Sequence, residues 1–251
     1  GIVGSYQEFF DSNVLATRKL LEKAKENGVQ RFIYASSPSV AHTGNALIGV
    51  GAHKAEPAHV RGAYSRTKAL AEIDVLAAHS PDFSTMALRP HLVWGPGDTQ
   101  LIERIVARAR SGRLFLIDGG YSLIDTTYVT NAAQAFACAI DAPTSAFNRA
   151  LMVTNGEPRT VRETLGRIAY AAGAKAPSRS IPFHIAMAAG HAAESAWRIR
   201  KSEPPLTSFL VEQLATAHWF DLGETKRFLE WSPSISLDQG FADLAMWYAK
   251  A

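Results

Sequence analysis

Between residues 8 and 110 the chain alternates segments of helical period with short apolar runs, and this alternation limits its fold more than any other feature. Residues 8–27 repeat Phe10, Val14, Leu20, Leu21 and Ala24 at roughly helical spacing, and Asn27-Gly28 supplies a stop. Val29 to Ala35 reads as a buried strand centred on Phe32, Ile33 and Tyr34, ended by Ser36-Ser37-Pro38-Ser39. Residues 41–62 hold Gly, His and Pro without a sustained period and read as a long loop, a length that in a compact domain is usually functional or disordered. Ala63 to Ala78 reads as a helix, Ser84 to Leu88 as a strand, and Leu101 to Arg110 as a helix after the Gly95-Pro-Gly-Asp98 turn. Helix–strand–helix–strand–helix implies an α/β fold, with a parallel sheet and helices on its faces.

Beyond residue 110 the pattern changes. Leu114 to Ile117 and Ser122 to Val129 are short strand-like pieces around Asp118-Gly-Gly120. Asn131 to Ile140, Val161 to Ala172, Ile181 to Arg200, Leu206 to Ala217, Gly223 to Leu229 and Leu237 to Ala249 read as helices, and Leu151 to Thr154 as a strand. The expected organisation is a sheet domain over 1–98 and a smaller, mostly helical substrate lobe over 99–251, interleaved with the last sheet elements.

Composition narrows the function classes. With 47% hydrophobic and 20% charged residues, the 251-residue chain can bury a core as a globular protein does. Its net charge of +3 is scattered, so no clustered basic face for nucleic acid is indicated. The single cysteine, Cys138, excludes an internal disulfide and fits a reducing, cytoplasmic compartment. It sits in the run Ala-Phe-Ala-Cys138-Ala-Ile and reads as a small buried hydrophobe, not a nucleophile. The eight histidines are dispersed, and no metal-ligand spacing occurs.

The chemistry-bearing stretch is Tyr64-Ser-Arg-Thr-Lys68. Residues four apart share a helix face. A phenol titrating near pH 10 is a poor base at neutral pH, and an ammonium one turn away stabilises its phenolate. The hydroxyls that end the strand at Ser36-Ser37 add a group able to hold a carbonyl or alcohol oxygen against the phenol. Alone, Tyr-x-x-x-Lys arises by chance in many helices.

Further motifs stand around it in order: Ser-Asn13-Val-Leu-Ala-Thr17, Phe-Ile-Tyr-Ala-Ser-Ser37, Tyr64-Ser-Arg-Thr-Lys68, Leu88-Arg-Pro90-His-Leu-Val-Trp-Gly-Pro-Gly-Asp98 and Asp125-Thr-Thr-Tyr-Val129-Thr-Asn131. With Glu203-Pro-Pro-Leu-Thr207, Phe220-Asp221 and Trp231-Ser-Pro-Ser-Ile-Ser-Leu237, they resemble the extended short-chain dehydrogenase/reductase superfamily over essentially the whole chain. Within it the tail motifs resemble the 3β-hydroxysteroid dehydrogenase branch, which includes the sterol-4-carboxylate dehydrogenases and the 2-alkyl-3-oxoalkanoate reductases. The resemblance implies a doubly wound Rossmann-like sheet, NAD or NADP as cofactor, and a secondary alcohol or ketone as reacting group. By the same resemblance Tyr64 is the general acid/base, and Lys68 lowers its pKa and holds the nicotinamide ribose. Ser37 binds the reacting oxygen, with Ser36 as the neighbouring alternative, and Asn13 supports the lysine through water. Pro90, His91, Leu92 and Val93 border the nicotinamide, with His91 read as a satisfied loop histidine and not as catalytic. Ser39, Tyr121 and Asp125 are candidate substrate-pocket residues.

One part of the pattern is missing. Such proteins begin with a strand, a Gly-rich turn and a helix whose N-terminus binds the pyrophosphate. Gly1-Ile-Val-Gly4 is not that motif, because no strand precedes it. By the resemblance about 80 residues, roughly four strands, precede Gly1 in a full-length protein, so the chain is expected to be an incomplete copy whose first strand exposes an edge. A cofactor-free binding protein is the reading if the chain is natively this short.

The helix over Ile181 to Arg200 gathers Ile181, Phe183, Ile185, Met187 and Trp197, with Arg198, Arg200 and Lys201 beside it. It reads as core-facing, or as an apolar wall and weak membrane-surface contact for a hydrophobic substrate. A nucleotide-sugar epimerase is the second enzyme reading; a dehydratase is disfavoured because Pro38 follows Ser37 with no acidic pair. A homodimer through the Asn13 and Tyr64 helices, with Leu20, Leu70 and Ile73 available, is expected by the resemblance.

Overall fold

The computed structural model describes residues 4–197 and 206–250. Ser5 caps the first helix, α1 (Tyr6–Phe9), in a reciprocal capping box with Glu8. The helix continues through a π-helical stretch, Phe10–Leu15, into α2 (Ala16–Glu26). Then follow β1 (Arg31–Ala35), a 3₁₀ turn (Pro38–Ala41), β2 (Leu47–Val50), α3 (Ala63–Ala77), β3 (Ser84–Pro90), β4 (Val93–Trp94) and α4 (Ile102–Arg110). The second half holds β5 (Leu116–Ile117), β6 (Leu123–Ile124), β7 (Thr127–Tyr128), α5 (Val129–Asp141), β8 (Arg149–Val153), β9 (Arg159–Thr160) and α6 (Val161–Ala171). It ends with β10 (Ser180–Ile181), α7 (Phe183–Trp197), α8 (Ser208–Ala215), β11 (His218–Phe220), α9 (Gly223–Leu229) and α10 (Leu237–Lys250).

The expected α/β architecture is present. β1, β3 and β8 form a parallel sheet in the order β1-β3-β8, with Tyr34 opposite Ala87 and Leu88 opposite Leu151. β3 is central and buried on both faces, as its unbroken burial requires. Met86 and Leu88 pack toward Ala135 and Ala139 of α5 and Leu229 of α9. Ala87 faces the other way, with Tyr34, toward Leu21 of α2 and Ala71 and Val75 of α3. β1 is the outer strand of this sheet, as expected, and its Phe32 and Ile33 are half-buried.

A second sheet, in the order β2-β11-β6-β9, corrects one expectation. The supposed loop over 41–62 contains β2; the helix expected over Leu206 to Ala217 is present as α8, and β11 follows it. β2 and β11 pair in parallel across some 170 residues of chain, with His218 opposite Leu47 and Trp219 opposite Ile48. Neither carries a period-2 pattern, so only tertiary pairing makes them strands. A third core, of Trp94, Ile102, Leu116, Val161, Leu165, Phe241 and Leu244, holds α4, α6 and α10 together. No helix among the described residues is long and apolar enough to cross a membrane.

Candidate active site

The C-terminal ends of β1 and β3 and the first turns of α3 meet at one place. α3 starts at Gly62, whose φ of +85° lets the chain turn sharply into the helix without a side-chain cap. Tyr64 and Lys68 then stand one turn apart on its site-facing side. β1 runs out through Ser36, whose amide still donates to the Leu88 carbonyl (2.7 Å).

The two serines diverge, because extended backbone sends successive side chains to opposite sides. Ser37 lies in extended conformation with its hydroxyl on the Tyr64 side, near enough to favour the phenolate. Its Oγ also accepts from the Ser39 hydroxyl at 3.0 Å and the Ser39 amide at 3.3 Å. Ser36 points away, buried, and donates to Glu72 Oε2 at 2.5 Å. Ser36 is therefore neither the reacting-oxygen group nor a cofactor contact. Ser37 and Ser39 share the Tyr64 side.

Burial raises the Tyr64 pKa, and the neighbouring Ser37 hydroxyl partly offsets it. The edge of the Phe9 ring, 5.9 Å away by centroid, adds to that cover. Lys68 Nζ donates to the Ala35 carbonyl at 2.5 Å and lies 4.2 Å from the centre of the Tyr34 ring. Burial pulls its pKa down to about 8, against the Glu72 carboxylate, which raises it. The expected lowering of the phenol by Lys68 is thus not what sets Tyr64 in this geometry; burial and Ser37 are.

Asn13 lies within the π-helical stretch and donates from Nδ2 to Thr67 Oγ1 at 3.0 Å. Thr67 Oγ1 in turn reaches the Ala63 carbonyl at 2.9 Å. Asn13 thus grips α3 one residue before Lys68, without touching the lysine itself. Single-turn π segments are frequent at functional sites.

Past β3 the chain runs through Pro90 to Leu92, whose φ of +42° is unusual for a branched residue. Leu92 and Val93 present about a third of their surface to solvent as an apolar shelf beyond the strand end. His91 turns inward: its Nδ1 bonds the Asp125 carbonyl at 2.6 Å, and its ring packs on His218 and Phe220. It is a satisfied buried histidine, as read from the sequence, and its side chain does not border the site.

Two substrate candidates are corrected. Asp125 is fully buried, accepts from Thr154 Oγ1 at 2.6 Å and from the Glu157 amide at 3.3 Å, and binds the chain to itself. Tyr121 is 71% exposed, with the Arg162 guanidinium over its ring, and so lines no enclosed pocket. Two residues escaped the sequence reading, Glu72 and Arg89. Glu72 continues the Tyr64–Lys68 spacing by a further four, a signal that was available. Arg89 stood inside a quoted motif. Among the described residues no group of three His, Cys, Asp or Glu is placed to hold a metal. Arg198, Arg200, Lys201 and Glu203 lie outside the described residues.

Residues 2–180 match the model of the 3-beta hydroxysteroid dehydrogenase/isomerase family. The chain belongs to this family. It is 38% identical to a 2-alkyl-3-oxoalkanoate reductase of Stenotrophomonas maltophilia, over 97% of this chain and 76% of the relative. It is 32% identical to an Arabidopsis thaliana 3beta-hydroxysteroid-dehydrogenase/decarboxylase, isoform 2, over 95% of this chain and 45% of that protein. Among solved structures, a UDP-glucuronic acid 4-epimerase from Bacillus cereus in complex with NAD superposes at a TM-score of 0.70 with 16% identity, covering all of this chain and 71% of that one. At that identity the likeness shows the fold alone.

As a member of the 3-beta hydroxysteroid dehydrogenase/isomerase family, the protein is an NAD(P)-dependent oxidoreductase. The residues present fit one half of such a cofactor. Lys68 keeps donors beyond the one given to Ala35 and suits a ribose diol, and Leu92 and Val93 offer an apolar shelf to a nicotinamide ring. For the pyrophosphate half, the 251 residues contain no Gly-rich turn of the phosphate-binding pattern.

Proposed function

We propose that the protein interconverts a ketone and a secondary alcohol on a hydrophobic 3-oxo or 3-hydroxy acid, the steroid-like alternative being second. The observation that carries this reading is the convergence of Tyr64 and Lys68, one turn apart on α3, with the Ser37 and Ser39 hydroxyls at the end of β1, whose last carbonyl, that of Ala35, Lys68 holds. The relative named 2-alkyl-3-oxoalkanoate reductase supports the substrate class. The nicotinamide supplies or accepts the hydride. In the reducing direction Tyr64 gives its proton to the substrate oxygen, which Ser37 holds in place. Lys68 then faces a phenolate and stabilises it. The unfavourable titration of the buried phenol is matched to donation: an acid that stays protonated at neutral pH is ready to give its proton to a developing alkoxide.

The test is a screen of 2-alkyl-3-oxo acids, 3-hydroxysteroids and a UDP-sugar with NAD(H) and NADP(H). Reduction of the oxo acids is the expected result, and turnover of the UDP-sugar alone would replace this reading with an epimerase. Tyr64→Phe should lower kcat by about 10²–10⁴-fold while the far-ultraviolet spectrum stays unchanged. Retained turnover removes Tyr64 from its role.

The proposal extends to assembly and location. Leu15, Leu20 and Ile73 are exposed on the Asn13 and Tyr64 helices, which supports pairing of two copies there. Light scattering that reports a single chain at micromolar concentration would refute the dimer. Ile185, 52% exposed on α7, supports a weak membrane-surface contact, to be checked by vesicle flotation. The single cysteine supports a cytoplasmic location.

A further inference from the structure

Behind the site lies a buried ion pair that the chemistry above does not use. Glu72 and Arg89 are each 1% exposed. Arg89 forks onto the carboxylate, Nε to Oε2 at 2.9 Å and Nη2 to Oε1 at 2.5 Å. Its remaining arm, Nη1, donates to the His53 carbonyl at 2.7 Å. The second lone pair of Oε2 takes the Ser36 hydroxyl at 2.5 Å. All four bonds are charge-assisted; Ser36, Glu72 and Arg89 are buried and the His53 arm is part-buried, and the fork fixes how the three buried side chains sit.

Each member adjoins a residue of the site. Ser36 precedes Ser37. Glu72 is one turn beyond Lys68 and two beyond Tyr64. Arg89 precedes Pro90. His53 belongs to the long segment joining Ser37 to Tyr64. We propose that Glu72 and Arg89 are positioning residues for the reaction: by pinning Ser36 and the end of β3 to α3, they set where the neighbouring Ser37 hydroxyl stands relative to Tyr64 and Lys68. This rests on the oxidoreductase reading given above.

Stability alone does not account for the pair. Two charges taken out of water cost more than an apolar pair of the same volume, and such replacements are often neutral or stabilising. The surroundings would accept one, since Ala71, Val75 and Ala87 lie on the same face. What an apolar pair cannot do is fix direction. A bidentate fork sets the helix at one height and one rotation against the strand, where Leu against Met would slide. A shift of about 1 Å at a distance from the chemistry can cost about 10²-fold in rate. The carboxylate has a second effect. Lys68 faces Tyr34 of β1, Tyr64 on its own helix and Glu72, with Arg89 behind; Glu72 is the charge that favours its ammonium form.

The experiment compares Glu72→Leu/Arg89→Met and Glu72→Gln with the wild-type protein. Three quantities are read: the thermal midpoint, kcat and KM for the preferred 3-oxo acid across pH, and Lys68 titration by NMR of ¹³C-dimethylated lysines, assigned with Lys68→Arg. The double variant should keep the wild-type midpoint, lose at least about tenfold in kcat with KM little changed, and titrate Lys68 at lower pH. Glu72→Gln should move kcat and Lys68 in the same directions. Wild-type kcat together with unmoved Lys68 titration in either folded variant overturns the proposal. So does loss of the fold in both, which would make the pair a structural bond only. If the wild-type protein reduces no oxo acid, the functional reading fails, while an unmoved Lys68 titration would still overturn the positioning role.

Discussion

At Ser36 and Ser37 two identical side chains, adjacent in sequence, do different work. Ser37 meets Tyr64, and Ser36 meets Glu72. Their variants should therefore separate. Ser37→Ala is expected to lower kcat with an unchanged melting temperature. Ser36→Ala leaves a buried carboxylate short of one donor and should cost about 1–3 kcal/mol of stability. Ser36→Ala also frees the Glu72 anchor and should lower kcat, so the stability loss is what separates the two; an equal fall in melting temperature from both would contradict the assignment. Lys68 adds a pH dependence: its ammonium, titrating at about 8, is lost as pH rises, so reduction should decline above about pH 8. A pH–kcat profile flat to pH 10 or beyond would exclude it. Tyr64 and Lys68 were legible in the sequence because helical spacing alone puts them on one face. The choice between the serines was not, since it depends on backbone direction at the strand end. Glu72 shares that helical spacing, but its burial is not legible until its partner Arg89, 17 residues on, is placed against it.

At the scale of elements, local pattern carried α3, β1, β3 and the helices of the second half. It failed where pairing was remote. β2 has only four residues, one of them Gly49, and its partner β11 comes from the far end of the chain. Its formation is a property of the folded sheet, so no window of sequence contains the signal. The π-helical stretch at Asn13 was equally invisible, because one extra residue in a turn does not disturb apolar spacing enough to read. The β2–β11 pairing can be tested at Gly49. Its φ is +60°, and a Cβ there would stand 2.8 Å from the Trp219 ring. Gly49→Ala should cost about 1–3 kcal/mol from backbone strain, with the ring displaced in addition. In a chain of this size that is a fall of several degrees in Tm. Because the segment leads from His42 toward Tyr64, KM should rise as well. An unchanged Tm would mean that β2 is not held against β11 in solution.

Across the whole molecule the two sheets meet at three buried histidines. His42 follows the Ser37 turn, His91 follows β3, and His218 belongs to β11. Ring centroids lie 4.9 Å apart for His42 and His218 and 5.9 Å for His91 and His218. Burial holds all three neutral: His91 is lowered to about 4 and His218 to about 3, and His42 is lowered as well, with Arg61 and Glu212 beside it acting in opposite senses. Each histidine titrates at its ordinary value once unfolded, so the unfolded chain takes up protons that the folded one refuses. Their contribution to stability is present above about pH 6.5 and is lost as pH falls through the folded values, at up to about 1.4 kcal/mol per pH unit for each. Asp125 works against them. Burial raises it to about 6, so it is more basic when folded and favours the fold as pH falls through that value. One carboxyl offsets one histidine, and the balance still favours unfolding in acid. Urea midpoints measured from neutral to about pH 4.5 should fall, and His218→Phe, which keeps the ring volume, should reduce the slope by about one proton. An unaltered slope in His218→Phe would place the acid-sensitive groups elsewhere. Because this cluster sits behind the Ser37 turn and the His91 bend, acid should loosen the seam between the sheets first. Loss of turnover is then expected at a higher pH than global unfolding.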